Sequence, residues 1–244
     1  MSSIHKATEV LFFLNSQPGP CGVSTIALGL DMPKASTHRL LKELQFQNLV
    51  KQDERGMYGL GVGLLALGLG ASRAEPLVRV ARPILQSAAA RVGETFFLVA
   101  ERVGELVVLD KAEGAGFLRI SPRIGAAIPV HATAVGRLYL AFAPERVQLD
   151  ESRLESFTRR TPSTPARLRR SVAAVRREGV SASDEEWVEG LSAVAAPVFF
   201  AGRLLGSVVV ACVAPRYREL GLASLTQAVK KASEQLAAEL EGDA

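Results

Sequence analysis

The spacing of hydrophobic and polar residues over 32–44 predicts an amphipathic helix. Its apolar side holds Thr37, Leu40, Leu41 and Leu44. Its other side is polar and cationic and holds Ala35, Arg39 and Lys42, flanked by Ser36 and His38. A helix that is buried on one side and basic on the other fits the major groove of DNA.

The segment before this helix predicts a helix-turn-helix. Residues 24–30 form a short apolar pattern that Ser24 can cap, and residues 29–32 supply a turn. An earlier pattern over 4–16 has helical spacing and gives a third helix. These elements together form a three-helix module with its basic helix last.

The segment after the basic helix predicts a wing. Asn48 can take the left-handed conformation that ends a helix. Strand patterns over 49–51 and 57–60 then flank a polar turn that contains Arg55. We therefore expect a winged helix-turn-helix domain over 1–61.

Several motifs are similar to those of one known family. Residues 33–41 read Pro-Lys-Ala-Ser-Thr-His-Arg-Leu-Leu, close to a family pattern Pro-Lys-Ser-Thr-Val-His-Arg-Leu-Leu. Further matching segments are 93–95, 128–137, 184–186 with Gly190, and 195–198. On these residues the chain resembles the IclR family of bacterial transcriptional regulators. That resemblance implies an operator-binding N-terminal domain, a linker helix and a C-terminal GAF-like domain that binds an effector.

The resemblance and the helix pattern together indicate which residues contact double-stranded operator DNA. The N-terminal part of a recognition helix meets base edges, and the flanking cations meet phosphates. The expected DNA-binding residues are Ser24, Lys34, Ala35, Ser36, His38, Arg39, Lys42 and Arg55.

A leucine-rich helix is predicted over 62–75, and the resemblance implies that it is the linker through which such proteins form a homodimer or a dimer of dimers. The Gly-rich residues 61–66 could be mistaken for a dinucleotide-binding loop, but the strand before them is the short, glycine-containing strand of the wing, and the later acidic residue is missing. The uncharged run over 56–72 is short for a membrane span and contains several glycines. We therefore expect no membrane association.

The remainder, 76–244, alternates helices and strands and predicts an α+β domain with an antiparallel sheet. We expect a helix over 77–92 that is interrupted near Pro83, a helix after Thr133, and a basic helix over 165–178. We also expect an acidic loop over 183–187 and one long helix from about residue 218 to 242.

The resemblance implies a small-molecule cavity in this domain. Its expected lining is Phe117, Ile120, Thr133, Ala134, Val135, Ser183, Asp184 and Ala193. No cation stands among these residues, and the last strand, 208–213, offers no hydroxyl. Because burying a charged ligand without a cationic partner is costly, we expect a largely apolar or aromatic effector with one polar end.

Composition adds little to this picture. The 244 residues are 48% hydrophobic with a formal net charge of +4, and the two cysteines have no metal-ligand spacing. We expect a cytoplasmic protein with no cofactor, no metal and no catalytic residues. Asp184, Glu185 and Glu186 could serve as acid and base, but adjacent carboxylates are usually a solvated surface.

Three interpretations of function stay open on these patterns. The favoured one is a DNA-binding regulator whose operator affinity depends on a bound effector. The alternatives are a metabolic enzyme fused to a DNA-binding module and an architectural DNA-binding protein without an effector. Trp187, the single tryptophan, is either a hydrophobic anchor or part of a lid.

Overall fold

The chain divides into two compact units in a computed structural model, Met1–Glu75 and Pro76–Ala244. The structure describes residues 2–73, 75–116, 118 and 120–242. Each unit has its own hydrophobic core.

The N-terminal unit is a three-helix bundle with a two-stranded wing and a following helix. Its elements are α1 (Ser3–Ser16), α2 (Val23–Gly29), α3 (Lys34–Phe46), β1 (Val50–Gln52), β2 (Tyr58–Leu60) and α4 (Val62–Arg73). Strands β1 and β2 are antiparallel. The predicted winged helix-turn-helix is therefore confirmed.

Two residues fix the chain path where α3 passes into the wing and the wing into α4. Asn48 has a φ of 57°, which is the left-handed conformation expected of it. Gly61 lies against the Asn48 backbone, where an added Cβ would come within 2.2 Å of the Asn48 carbonyl oxygen. Only glycine permits this approach, so the start of α4 is held beside the end of α3.

The expected cap of α2 was wrong. The cap lies two residues earlier than expected, because the helix begins at Val23 and Gly22 occupies the cap position without a side-chain hydrogen bond. Ser24 therefore lies inside the first turn with its side chain exposed. Glycine is one of the residues commonly found at a helix N-cap, because it readily adopts the extended backbone conformation of that position.

The C-terminal unit is a six-stranded antiparallel sheet with helices on both faces. The strands are β3 (Thr95–Arg102), β4 (Glu105–Ala112), β5 (Ala127–Ile128), β6 (Ser181–Asp184), β7 (Leu191–Phe200) and β8 (Arg203–Val213). Their order across the sheet is β5-β4-β3-β8-β7-β6. The helices are α5 (Pro76–Val92), α6 (Ala134–Phe142), α7 (Pro165–Glu178), α8 (Ala214–Leu220) and α9 (Leu222–Gly242).

Strand alternation divides the core of this unit into two layers. On one face, Leu98 and Val210 pack with residues of α5 and α9. On the other face, Phe97 and Val209 pack with residues of α6 and α7. The expected α+β class with an antiparallel sheet is confirmed.

Two helix expectations were wrong. Helix α5 runs through Pro83 without interruption, because its buried residues Ala81 and Leu85 pack on the same core on either side of the proline. The last helix is instead two helices, divided at Gly221, whose φ of 77° no continuous helix can accommodate. Among the described residues, no helix has the length and apolar character needed to cross a bilayer.

Candidate functional site

Helix α3 presents one buried face and one exposed face. Thr37, Leu41 and Leu44 are buried in the bundle core. The side chains of Lys34, Ala35, His38, Arg39 and Lys42 are exposed and Ser36 is half-buried. The two-sided pattern predicted from the sequence is thus the pattern that the structure shows.

Backbone contacts fix the angle between α2 and α3. Met32 donates its amide hydrogen to the Ala27 carbonyl at 2.9 Å, and Asp31 has a φ of 49°. The Thr37 hydroxyl donates to the Pro33 carbonyl at 3.2 Å and so satisfies its own polar group inside the core. The first turn of α3 is therefore held rigidly, with its exposed face directed away from the bundle.

The wing is built around Asp53. Its carboxylate accepts hydrogen bonds from the backbone amides of Arg55 at 3.0 Å and Met57 at 2.8 Å. Gly56 supplies the positive φ of 76° that the turn requires. Arg55 is left exposed at the tip.

Lys42 connects the helix to the wing. Its Nζ donates to the side-chain oxygens of Gln45 and Gln52, each at 3.3 Å, and Gln52 ends strand β1. Lys34, Arg39 and Arg55 take part in none of the ion pairs found within the described residues. These three cations are thus available to an anionic partner.

The C-terminal unit contains an apolar cavity on the α6 face of the sheet. The cavity volume is about 70 Å³. On the same scale a single buried water needs about 10–15 Å³. Its lining is Phe97, Ile120, Pro122, Ile128, Thr133, Ala134, Val135, Ser183, Trp187, Leu191, Ala193, Val209 and Ala211. No described lining residue carries a charge, so the cavity suits a small, mostly apolar molecule.

Six of the eight expected cavity residues lie in this lining. They are Ile120, Thr133, Ala134, Val135, Ser183 and Ala193. Phe117 lies outside the described residues. Asp184 does not line the cavity, because β6 extends through it and neighbouring strand residues point to opposite faces. Its carboxylate instead accepts a hydrogen bond from Ser192 at 2.7 Å and pairs with Arg160.

The N-terminus of α6 forms one wall of the cavity. Thr133 caps the helix, accepting from the Gly136 amide at 3.1 Å and donating to the Pro129 carbonyl at 2.7 Å. A Cβ on Gly136 would lie 1.6 Å from the Val130 carbonyl oxygen, so only glycine lets the helix approach this closely. Both hydrogen bonds of the Thr133 hydroxyl therefore stabilise the start of α6.

Ser183 supplies the other hydroxyl of the lining. It is buried, and among the described residues it makes one long hydrogen bond, which it donates to the Ala132 carbonyl oxygen at 3.4 Å. A hydrogen bond of that length is weak, so the Ser183 hydroxyl could exchange it for a stronger hydrogen bond to a ligand.

The carboxylates expected in an acidic loop serve structural contacts. The loop is shorter than expected because residues 181–184 pair with β7. Glu185 accepts from the Gly190 amide at 2.9 Å and pairs with Arg218 at 3.0 Å. Glu186 pairs with the buried Arg137, which also donates to the Ala182 carbonyl. These contacts hold Trp187 at the cavity wall.

Sequence reasoning missed seven lining residues. They are Phe97, Pro122, Ile128, Trp187, Leu191, Val209 and Ala211. The period-two alternation of β8 was a usable signal for Val209 and Ala211, since both lie on the face that carries the cavity. Within the described part of the chain, no three His, Cys, Asp or Glu side chains lie together where they could hold a metal ion.

Comparisons with known proteins cover both units. The profile of the bacterial transcriptional regulator IclR C-terminal domain matches residues 71–238, and that of the IclR helix-turn-helix domain matches residues 3–54. The transcriptional repressor IclR of Escherichia coli (strain K12) is 28% identical over 205 residues, which is 82% of this chain and 75% of that protein. The HTH-type transcriptional repressor AllR of Klebsiella pneumoniae is 29% identical over 213 residues, 86% of this chain and 77% of that protein.

Solved structures show the same architecture. The IclR of Thermotoga maritima has a TM-score of 0.79 and 27% identity, covering 97% of this chain and 98% of that chain. An IclR homolog from Microbacterium hydrocarbonoxydans, complexed with 4-hydroxybenzoate, has a TM-score of 0.76 and 22% identity, covering 99% and 100%. At 22% identity, the comparison with the Microbacterium hydrocarbonoxydans homolog shows a shared fold only. The chain belongs to the IclR family of bacterial transcriptional regulators, and it is a DNA-binding regulator rather than an enzyme.

Proposed function

We propose that this protein binds operator DNA through the exposed face of α3 and the wing, and that an apolar effector in the C-terminal cavity changes its operator affinity. The observation that carries the proposal is the pairing of a cationic helix face with an uncharged internal cavity in one chain. An effector that binds one conformation better shifts the population toward it, and operator affinity follows. Because the proposed target is operator DNA, we also propose a cytoplasmic location.

The proposed DNA contacts divide into two kinds. Ser36, His38 and Arg39 lie in the first half of α3, the part of a recognition helix that reaches base edges. Ser24, Ala35, Lys34, Lys42 and Arg55 surround them and are proposed to contact the DNA backbone. Their exposure supports this assignment, and the position of Arg55 at the wing tip suits a phosphate contact.

The proposed effector is a small, mostly apolar or aromatic molecule with a polar end at Ser183. The Thr133 hydroxyl already donates its hydrogen and accepts one hydrogen bond at short distances within the fold, whereas the single bond of Ser183 is long, so Ser183 is the better anchor for a polar end. The homolog from Microbacterium hydrocarbonoxydans holds 4-hydroxybenzoate, an aromatic ring of suitable size. For this chain we favour a neutral ligand, since no described lining residue would pair with a carboxylate.

We also propose that α4, with the residues up to 75, is a linker that joins two copies of the chain. Val62, Leu65 and Leu69 are 72%, 61% and 52% exposed, which is unusual for large apolar side chains on one helix. The same helix borders an apolar groove with α1, lined by Leu11, Phe12 and Leu64 among others. A second copy would cover this surface, and two winged helices would then engage adjacent half-sites.

Thermal unfolding with candidate ligands tests the effector proposal. A ligand at about 100 times its dissociation constant stabilises the folded state by about 2.7 kcal/mol, which raises the melting temperature. Neutral phenols such as 4-ethylphenol should do so, and Ala193→Trp, which fills the cavity, should abolish the rise. If only small hydrophilic acids stabilise the protein, and Ala193→Trp leaves that response intact, the cavity is not the effector site.

A further inference from the structure

Two aromatic side chains, Phe97 and Trp187, stand among the described residues that line the cavity. Phe97 lies on strand β3, which is paired with a neighbouring strand on either side. Trp187 lies outside the sheet, in the loop between β6 and β7, and is half-buried. The position of Trp187 in the cavity wall therefore depends on the contacts that hold its loop.

The indole ring of Trp187 has no aromatic partner in the protein. Ring pairs occur elsewhere in the described part of the chain, between His131 and Phe157 and between Phe142 and Phe199. Aromatic rings attract one another in offset or edge-to-face pairs, which contribute more than their buried area alone. The indole ring is therefore available to pair with an aromatic ring of a ligand.

A buried arginine holds the loop of Trp187 against the cavity. Arg137 lies on α6 and is 2% exposed. Its guanidinium pairs with Glu186 and donates to the Ala182 carbonyl. Both partners lie within the few residues before Trp187. A buried ion pair contributes little net stability, so this arginine is better explained by the position that it gives the loop.

Two buried threonines hold the backbone of the same loop. Thr158 donates to the Glu185 carbonyl at 2.7 Å, and Thr161 donates to the Glu186 carbonyl at 2.6 Å. The residues directly before Trp187 are thus fixed through a side chain and through the backbone. A wall that is fixed before the ligand arrives loses little entropy on binding, so it can discriminate between ligands of similar size.

We propose that Trp187 makes the cavity selective for flat aromatic effectors, and that Arg137 is a positioning residue that holds Trp187 in the wall through Glu186. This inference rests on the proposed effector function. It assigns the choice between an aromatic and a saturated ring to one side chain. The polar end of the ligand bonds Ser183, so different residues recognise the ring and the hydroxyl.

A matched pair of ligands separates the ring from its polar end. The compounds 4-ethylphenol and trans-4-ethylcyclohexanol carry the same groups on an aromatic and on a saturated ring. Isothermal titration calorimetry should show that the wild type binds the phenol more tightly. Trp187→Leu should lower this preference about two- to tenfold, the contribution of one aromatic pair. Comparing the two proteins cancels the difference in hydroxyl acidity between the compounds.

Trp187→Phe is the conservative variant, and it should keep most of the preference because it keeps an aromatic ring. An equal preference in the wild type and in Trp187→Leu would overturn the proposal. A loss in Trp187→Phe as large as in Trp187→Leu would overturn it as well, since bulk rather than aromatic character would then be recognised.

Fluorescence supplies a direct measurement of contact, because Trp187 is the only tryptophan in the chain. Saturating 4-ethylphenol should change the indole emission, excited at the red edge of its absorption so that the phenol does not interfere. An unchanged emission, at a concentration where calorimetry shows the site to be filled, would show that the ligand does not touch Trp187.

Glu186→Ala tests the positioning role of Arg137. It removes the link between the guanidinium and the loop, so it should lower the preference for the phenol, while Glu186→Gln, which keeps a hydrogen-bond acceptor, should retain it. Glu189→Ala is the matched control, since Glu189 is exposed and takes part in none of the ion pairs of the described residues. A fall in melting temperature in Glu186→Ala with an unchanged preference would show a purely structural contact and overturn the positioning role.

The two levels of the hypothesis fail in different ways. If neither compound binds the wild type, or if Ala193→Trp binds both unchanged, the effector cavity itself is wrong. If both bind and Ala193→Trp prevents this, but Trp187→Leu keeps the wild-type preference, the cavity stands and only the role of Trp187 is wrong.

Discussion

At the scale of single residues, Arg39 decides whether α3 reads DNA. Its guanidinium is exposed, and no ion pair within the described residues occupies it. Arg39→Ala should weaken operator binding by about 1–3 kcal/mol and relax sequence preference, because a bidentate contact to a base edge is lost. Competitive binding with operator and unrelated DNA measures both effects. Unchanged affinity and preference would show that α3 is not the reading helix.

Lys42 should behave differently. Its amine lies between Gln45 and Gln52, so its charge is positioned beside the wing rather than at the start of the helix. Lys42→Gln should weaken binding to all sequences alike and lower the dependence of log affinity on log salt by about 1. Titrations at several salt concentrations measure this slope. A selective loss on the operator alone would instead make Lys42 a base contact.

Glu101 links stability to pH. The Gly104 amide donates to its carboxylate at 2.7 Å, and Arg146 pairs with it at 2.8 Å. The Gly104 hydrogen bond, aided by Arg146, lowers the pKa of this carboxyl below its ordinary 4.5. The folded state thus binds this proton less readily than the unfolded state, so the stabilisation is present above pH 4.5 and is lost as the pH falls through the lowered pKa. Glu101→Gln should flatten this part of the stability curve, measured by urea unfolding between pH 3 and pH 6, and an unchanged curve would exclude the contact as its cause.

At the scale of elements, the sequence predicted those helices whose ends carry local signals. Helix α7 begins and ends as expected, since Thr164 caps it, Pro165 occupies its first turn and Gly179 ends it in the left-handed conformation. The Thr133 cap of α6 was likewise predicted and is confirmed. These signals act between residues close in the chain, so they can be read without knowledge of the fold.

The elements that were missed depend on distant partners. Strand β6 has the sequence Ser-Ala-Ser-Asp, which lacks a hydrophobic alternation and becomes a strand by pairing with β7. Its pairing turns Asp184 away from the cavity, which the sequence could not indicate. The break at Gly221 was missed because the residues on both sides favour helix.

Helix α4 is the element on which the assembly proposal rests. Leu65→Asp places a charge on its exposed apolar surface, which should dissociate the proposed homodimer because a buried unpaired charge is costly. Val103→Asp is the matched control, since Val103 is 99% exposed at the turn between β3 and β4. Sedimentation analysis should show smaller particles for the first variant only. An unchanged oligomer in folded Leu65→Asp would exclude α4 as the interface.

At the scale of the whole molecule, each unit has its own core, so the two can keep their folds while an effector changes the equilibrium between conformations. The coupling free energy between effector and operator is typically about 1–3 kcal/mol, or about 5- to 150-fold in affinity. By thermodynamic linkage, operator DNA must change effector affinity by the same factor. The coupling can therefore be measured from either ligand.

Operator affinity with and without a stabilising ligand is the most direct measurement. A ligand identified by its rise in melting temperature is added to wild type and to Ala193→Trp, and binding to an operator selected from random DNA is followed by fluorescence anisotropy. The wild-type dissociation constant should change at least about fivefold, while that of Ala193→Trp should not respond to the ligand. An unchanged wild-type constant at saturating ligand, or an equal change in Ala193→Trp, would contradict control of DNA binding by the cavity.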